Sequence, residues 1–223
     1  MKIFVVANNY APYNKEGHEA LLTEEGKGME AGRNGADGNV TPTVLLKADS
    51  SLLKNGKPFF IPDALGDIGY GCGLVVRLCR LGKTVPVRFA HRYYDAVTVG
   101  IDFTAMTLLR KLRAASLPWD LAKSFDGAAA IGRWLPISQT GDPAMLRFRL
   151  DINGQTRLAA SAADLLTGID ETVSYVSRFF TLKTGDLLFT GTPGFIGPAR
   201  EDDHVQGYIE GVGEEPVLDF LCK

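Results

Sequence analysis

Apolar residues in this chain gather in short runs separated by glycine, proline and lysine, a rhythm of strands more than of long helices. Ile3-Phe4-Val5-Val6 is a continuous apolar run ending at Asn8-Asn9 and predicts a buried strand over 1–7. Thr43 to Lys47 predicts a second strand, and Leu74–Leu78 and Val85–Phe89 two more, each bounded by Gly, Lys or Pro. From Asp102 to Ser116, Phe103, Met106, Leu109 and Leu112 recur at intervals of three. That spacing predicts a helix opened by Asp102, with Arg110, Lys111 and Arg113 in later turns where cations suit the dipole. Leu146, Phe148, Leu150 and Ile152 alternate with Arg147, Arg149 and Asp151, and Asn153-Gly154 follows; this predicts a type I′ hairpin with one wet face. Ile169, Val173, Val176 and Phe180 step by four, three and four, the stripe of an amphipathic helix that ends before the Gly185-Asp186 turn. Leu187-Leu188-Phe189 then predicts a strand entering Thr190-Gly191-Thr192-Pro193-Gly194, a turn rich in backbone donors that can hold an anion.

With 223 residues and 45% hydrophobic content, the chain can bury one substantial core, and a single domain over 1–223 is the simplest organisation. The segment 22–42 is set apart: Gly26, Gly28, Gly32, Gly35 and Gly38 stand among Glu, Lys, Asn and Asp, a composition that cannot bury itself and reads as a mobile loop. There is no internal repeat and no regular alternation of strand with long helix, so a mixed α+β fold dominated by its sheet is expected. Net charge is −2, from 24 basic and 26 acidic side chains, without a block of like charge; on that balance neither nucleic acid nor an anionic membrane is an expected partner. No stretch approaches the roughly 18 apolar residues that span a bilayer, and the first apolar run is too short for a signal-peptide core. The three cysteines, Cys72, Cys79 and Cys222, show no paired spacing, which argues against a disulfide framework or zinc knuckle. A soluble cytoplasmic protein is the expectation.

Several motifs carry more information. Leu117-Pro118-Trp119-Asp120-Leu121-Ala122-Lys123-Ser124-Phe125 is followed by Gly132-x-Trp134-Leu135-Pro136, and later by Leu182-Lys183-Thr184-Gly185-Asp186-Leu187-Leu188-Phe189-Thr190-Gly191-Thr192-Pro193. Asn153-Gly154 lies between these blocks, and Asn9-Tyr10 with Glu16, then Leu45-Leu46-Lys47, precede them. In this order the motifs resemble the fumarylacetoacetate hydrolase (FAH) family over nearly the whole chain, closest to the small single-domain members described as acylpyruvate hydrolases and oxaloacetate decarboxylases. The resemblance implies a β-rich mixed-sheet pseudo-barrel with short helices, a homodimer, and a Mg²⁺ or Mn²⁺ that chelates the 2-oxo-acid end of a substrate while a His-Glu pair activates water.

Against that pattern the chain departs at the metal. The family strand usually reads His-x-Glu-x-Glu-Leu, and its two carboxylates fall here on Gly71 and Gly73. Residues at i and i+2 of a strand face one side, so Gly71 and Gly73 aim nothing into the site, while Cys72 faces away from it. Asp102 matches the third ligand, although an aspartate opening a helix also serves as an N-cap. The family arginine is Met106 and the family histidine is Tyr13, a poor base at neutral pH; His18 is about 140° round a helix from Tyr13 and does not replace it. Glu16 is retained and, with Lys123, is the catalytic candidate; Lys47 and Thr192 match substrate-facing positions. His91 and His204 match no constellation. The sequence therefore points to a degenerate metal site without a cofactor and to a pseudoenzyme that keeps a cavity for small 2-oxo or β-diketo acids. The alternatives are an active hydrolase, decarboxylase or isomerase on an acylpyruvate or oxaloacetate, or a replacement carboxylate (Glu24, Glu25 or Glu30) delivered by the loop.

Overall fold

The structure, a computed structural model, describes residues 1–10, 41–53 and 56–223. Tyr13, Glu16, His18, the three candidate loop glutamates and all but the end of the 22–42 segment lie outside the described residues.

Among the described residues nine strands form one curled mixed sheet, a half-barrel, and four form a second, antiparallel sheet. The spine of the first is Ile68–Leu78 paired along its length with Tyr94–Ala105, from Ile68 opposite Ala105 to Leu78 opposite Tyr94. Ile3–Ala7 lies parallel to Leu187–Phe189 and antiparallel to Thr43–Lys47, and Leu187–Phe189 pairs back onto Arg77–Val75. Segments remote in sequence are thereby sewn into one surface, which positions Lys47 opposite Ile3.

Period-two alternation divides this sheet into two faces. Tyr70, Cys72, Leu74 and Val76, with Val97, Val99, Ile101 and Phe103 of the neighbouring strand, enter the main core. Phe103 stacks on Phe59 with ring centroids 3.8 Å apart and is flanked by Tyr70 and Phe220, aromatic pairs worth about 0.5–1.5 kcal/mol each beyond their buried area. Ile3, Val5, Val75, Ile131, Leu187 and Phe189 form a smaller cluster on the other face. Gly71, Gly73, Asp102 and Thr104 share that second face by register, and Cys72 points the opposite way, as the strand periodicity requires.

The strands expected at 1–7, 43–47 and 187–189 form, the first as Ile3–Ala7, as does the helix Ile169–Phe179, which buries Ile169, Val173 and Val176. Asn153 and Gly154 both take positive φ, 54° and 74°, the I′ signature that joins Arg147–Ile152 to Gln155–Ser161. A register shift after Leu150 turns Asp151 inward, where Thr156 Oγ1 donates to it at 2.7 Å, so the wet face of the hairpin is interrupted.

Two expectations are corrected. Residues 102–105 are strand, and the helix is Met106–Ala114; Asp102 therefore caps no helix. The three-residue spacing at Phe103 and Met106 coincided with a two-residue strand period, Ile101, Phe103 and Ala105, all fully buried. Val85–Phe89 is not a strand. A helical turn, Val87–Ala90, follows Pro86, because the backbone groups of Val85 are taken by the long helix: Ser177 Oγ accepts from Val85 N–H and Ser174 Oγ donates to Val85 C=O, both at 2.7 Å. No helix among the described residues is long and apolar enough to cross a membrane.

Candidate functional site

Asp102 stands near the carboxyl end of its strand, directly opposite Gly71, and two lysines converge on it from separate elements. Lys47 is the last residue of Thr43–Lys47, and Lys123 is the last residue of the helical turn Asp120–Lys123. Lys123 Nζ donates to Asp102 Oδ2 and, at 2.7 Å, to Thr104 Oγ1, and lies 4.9 Å from the centre of the Phe195 ring. Lys47 Nζ donates to the carbonyls of Lys123, Ala128 (3.0 Å) and Phe103 (3.3 Å), which uses its three protons. It also sits 2.8 Å from Asp102 Oδ1. That contact is a buried ion pair.

The side chains of Lys47, Asp102 and Lys123 are 0%, 8% and 7% exposed. Burial raises the Asp102 carboxyl, but the ammonium groups of Lys123 and then Lys47 outweigh it and hold the group below its usual range. Burial drives the Lys47 ammonium down to about 8, with Asp102 pulling it up and Lys123 pushing it further down. Two cations and one anion leave the cluster with an excess of positive charge. Such a site attracts a carboxylate.

The two glycines differ in what surrounds them. A Cβ on Gly71 would meet Phe195 Cε1 at 2.8 Å, Asp102 O at 3.1 Å and Thr192 Cγ2 at 3.2 Å. A Cβ on Gly73 would lie 1.9 Å from Gly191 O, so the chain of the Thr190–Gly194 turn occupies the space where a side chain would begin. That turn is held in place: Thr190 N and Oγ1 both donate to Leu74 O at 3.0 Å, and the buried Asn9 amide donates to Thr190 O (2.8 Å) and Thr167 O (2.9 Å). Thr192 closes on its own turn, its hydroxyl donating to Gly194 O at 2.7 Å.

A divalent ion of the Mg²⁺ or Mn²⁺ type needs several oxygen ligands. Of the residues described, no group of three His, Cys, Asp or Glu side chains converges. The one carboxylate at the expected place has an ammonium against each oxygen. Oδ1 is buried and faces Lys47 at 2.8 Å. The described residues do not fit a divalent cation.

Of the sequence-predicted site residues, Lys47, Asp102 and Lys123 meet, Thr192 lies beside them through Gly71 and Phe195, and Glu16 is outside the described residues. Met106 packs beside Gly69, its Cγ 3.1 Å from where a Cβ there would lie. His204 pairs at the surface with Asp219, and His91 ends the Val87–Ala90 turn. A cavity of about 300 Å³ bounded by Leu52, Arg77, Ile131, Trp134 and Leu187 includes none of the three charged residues. Sequence reasoning missed Phe195 and gave no role to Thr104 or to Asn9, which stands in one of the motifs. Thr104 was within reach, since it is two residues from Asp102 and shares its face once 102–105 is read as strand.

The curled mixed sheet and the Lys–Asp–Lys cluster beneath a Thr-Gly-Thr-Pro turn define a protein of the fumarylacetoacetate hydrolase class. The chain matches the family Fumarylacetoacetate (FAA) hydrolase C-terminal across residues 2–215 and belongs to that family. It is 30% identical over 210 residues to the mouse (Mus musculus) oxaloacetate tautomerase FAHD1, mitochondrial, covering 94% of this chain and 87% of that protein. Among solved structures, a fumarylacetoacetate hydrolase family protein from Yersinia pestis CO92 superposes with a TM-score of 0.85 at 28% identity, covering 100% of this chain and 93% of the other. Fumarylpyruvate hydrolase from Pseudomonas aeruginosa, solved in complex with Mn²⁺ and pyruvate, superposes with a TM-score of 0.83 at 29% identity, covering 100% and 89%.

Proposed function

We propose that this chain is a pseudoenzyme of the family: it keeps the fold and a cationic site for small 2-oxo or β-diketo acids but does not perform the metal-dependent carbon–carbon chemistry. The observation that carries this reading is the contact between Gly73 and Gly191. A side chain at position 73 would begin 1.9 Å from a backbone oxygen, so the second family carboxylate is missing from the sequence and its space is filled by the neighbouring turn. The names of the relatives, an oxaloacetate tautomerase and a fumarylpyruvate hydrolase, support a small oxo acid as ligand. On this reading Lys123, with two protons committed to Asp102 and Thr104, offers its third to the ligand carboxylate. Asp102 positions Lys123, Lys47 supplies a buried positive charge, and Thr192 lies at the edge of the site. A homodimer is part of the proposal and is checked by light scattering.

The excess of cation over carboxylate favours a second reading, an active hydrolase, decarboxylase or isomerase on an acylpyruvate or oxaloacetate in which Lys47 and Lys123 stabilise a developing enolate as fixed charges. Giving up several kcal/mol of Lewis-acid assistance slows such a step by about a thousandfold or more.

One experiment separates the readings. Purified protein is titrated with Mn²⁺ by electron paramagnetic resonance and with oxalate by calorimetry, and oxaloacetate consumption is followed in the ultraviolet. The expected result is no Mn²⁺ uptake, oxalate binding lost in Lys123→Ala, and turnover equal to buffer. Micromolar Mn²⁺ binding would overturn the proposal, and metal-independent turnover abolished by Lys123→Ala would establish the second reading.

A further inference from the structure

The fold brings two basic segments together. The connection between Ile68–Leu78 and Tyr94–Ala105 packs against the carboxyl end of Ile169–Phe179 and the turn after it. Thr84 N–H donates to Ser177 O at 2.9 Å, Lys83 Nζ donates to Phe179 O at 2.8 Å, and Gly82 exchanges backbone hydrogen bonds with Leu182. Arg80, Lys83, Arg88, Arg92, Arg178 and Lys183 are all exposed here. No Asp or Glu occurs between Cys79 and Tyr94 or between Thr172 and Gly185; the nearest acids of these elements, Asp170 and Glu171, stand at the amino end of the helix, where Asp170 accepts from Tyr94 Oη at 3.0 Å. The net charge of −2 concealed this asymmetry, because the basic residues come from two segments that meet only in the fold.

The same segments expose large apolar side chains: Leu81 at 68%, Phe179 at 61%, Val87 at 40% and Phe89 at 37%. A purely solvated basic face has no use for them; apolar groups rimmed by charge mark interaction sites. We propose that these segments form a docking surface for an acidic segment of another protein, whose Asp and Glu side chains pair with the arginines while its apolar residues cover Leu81 and Phe179. Four of the six cations are arginine, whose planar fork fits a carboxylate in two places, and arginine with aromatic residues is the composition enriched at protein interfaces. Arg88 and Arg92 lie 4.8 Å and 5.1 Å from the centre of the Phe89 ring, which holds both forks in place and lowers the ordering cost of binding. A second copy of this chain docked through the same patch would oppose cation to cation, so a two-fold self-contact is disfavoured.

The test uses a short fluorescein-labelled peptide alternating Glu and Leu, a Glu/Ser peptide of equal charge, and vesicles of phosphatidylserine and phosphatidylcholine, read by anisotropy and co-sedimentation at low and high salt. The Glu/Leu peptide is expected to bind at least about tenfold more tightly than the Glu/Ser peptide, to weaken with salt, and to be lost in the double variant Arg88→Glu/Arg92→Glu. Phe179→Ser, an exposed change that leaves the fold intact, should weaken the Glu/Leu peptide alone. Equal affinity for both peptides, no binding at low salt, or preference for the vesicles would each overturn the inference.

Discussion

Replacing Gly73 by alanine adds one methyl group at a position where the structure has no room for it. The new Cβ would sit 1.9 Å from Gly191 O and 3.1 Å from Gly191 C, so the turn must recede by more than about 1 Å to restore ordinary contact. It cannot recede freely. Thr190 is bonded twice to Leu74 O and once by Asn9, and the far side of Gly191 is close to Asn9, whose Cβ would be 2.9 Å from a Cβ there. Overpacking of this kind costs about 1–3 kcal/mol and sometimes more, offset by roughly 0.5–1 kcal/mol from replacing glycine within a strand. Because the clash is with backbone at 1.9 Å, the upper end of that range applies and leaves a net loss of about 2 kcal/mol, which for a domain of this size lowers Tm by about 4–8 °C. Gly71→Ala is the control. Its nearest obstacle is the edge of the partly buried Phe195 ring at 2.8 Å, a side chain that can shift, and the backbone atom it meets, Asp102 O, is at 3.1 Å and not 1.9 Å, so the expected loss is smaller, about 1 kcal/mol. Urea unfolding of both variants with unchanged m-values is the assay. Equal stability of Gly73→Ala and the parent, or a larger loss for Gly71→Ala, would refute the reasoning. The same geometry predicts that Gly71→Glu/Gly73→Glu loses stability and does not recover Mn²⁺ binding.

Lys47→Met removes a buried ammonium that serves three carbonyls and faces Asp102; breaking such a pair from one side costs about 3–5 kcal/mol, and pairing the change with Asp102→Asn should restore part of the loss in a double-mutant cycle. Because Lys47 titrates near 8 in the fold against an ordinary 10.5, the unfolded chain holds more protons across that window. Stability should therefore rise with pH between those values, by at most about 1.4 kcal/mol per unit, a slope that Lys47→Met removes. Asp102 is shifted the other way, below its ordinary 3.8: its contribution is present above that value and is lost as pH falls through the lower folded value. Acid unfolding monitored by circular dichroism should flatten in Asp102→Asn.

Where packing follows a local period, the sequence was enough to find the element. Ile169–Phe179 keeps its stripe because one face packs on the core, and Asn153-Gly154 is sufficient for its turn because both residues tolerate positive φ. The centre of the sheet was harder to read. Ile68–Leu78 carries glycine at 69, 71 and 73, the positions of its second face, so only its apolar end looked like a strand. The site was legible as a set of residues and not as an arrangement. Motif resemblance selected Lys47, Asp102 and Lys123, but their convergence depends on pairings such as Ile3 with Lys47 and Gly71 with Asp102, and no periodicity encodes contacts of that range. The filling of the space at Gly73 by a turn more than a hundred residues later could not be anticipated from the glycine alone.

The charge arrangement bears on why binding without turnover is the proposed outcome. Two ammonium groups supply as much positive charge as one divalent ion, and in a buried site that charge attracts a carboxylate. An ammonium has no empty coordination position, however; it donates protons along fixed directions, and here all three from Lys47 and two from Lys123 go to protein oxygens. Attraction directed at the ligand's carboxylate, a group present throughout, is the same for a bound oxo acid and for its enolate. Interaction that is uniform along the reaction path tightens binding without lowering the chemical barrier. A site that has exchanged coordination for ammonium charge can thus keep affinity for the family's class of ligand and lose the step that consumes it, and the oxalate and oxaloacetate measurements read those two properties separately.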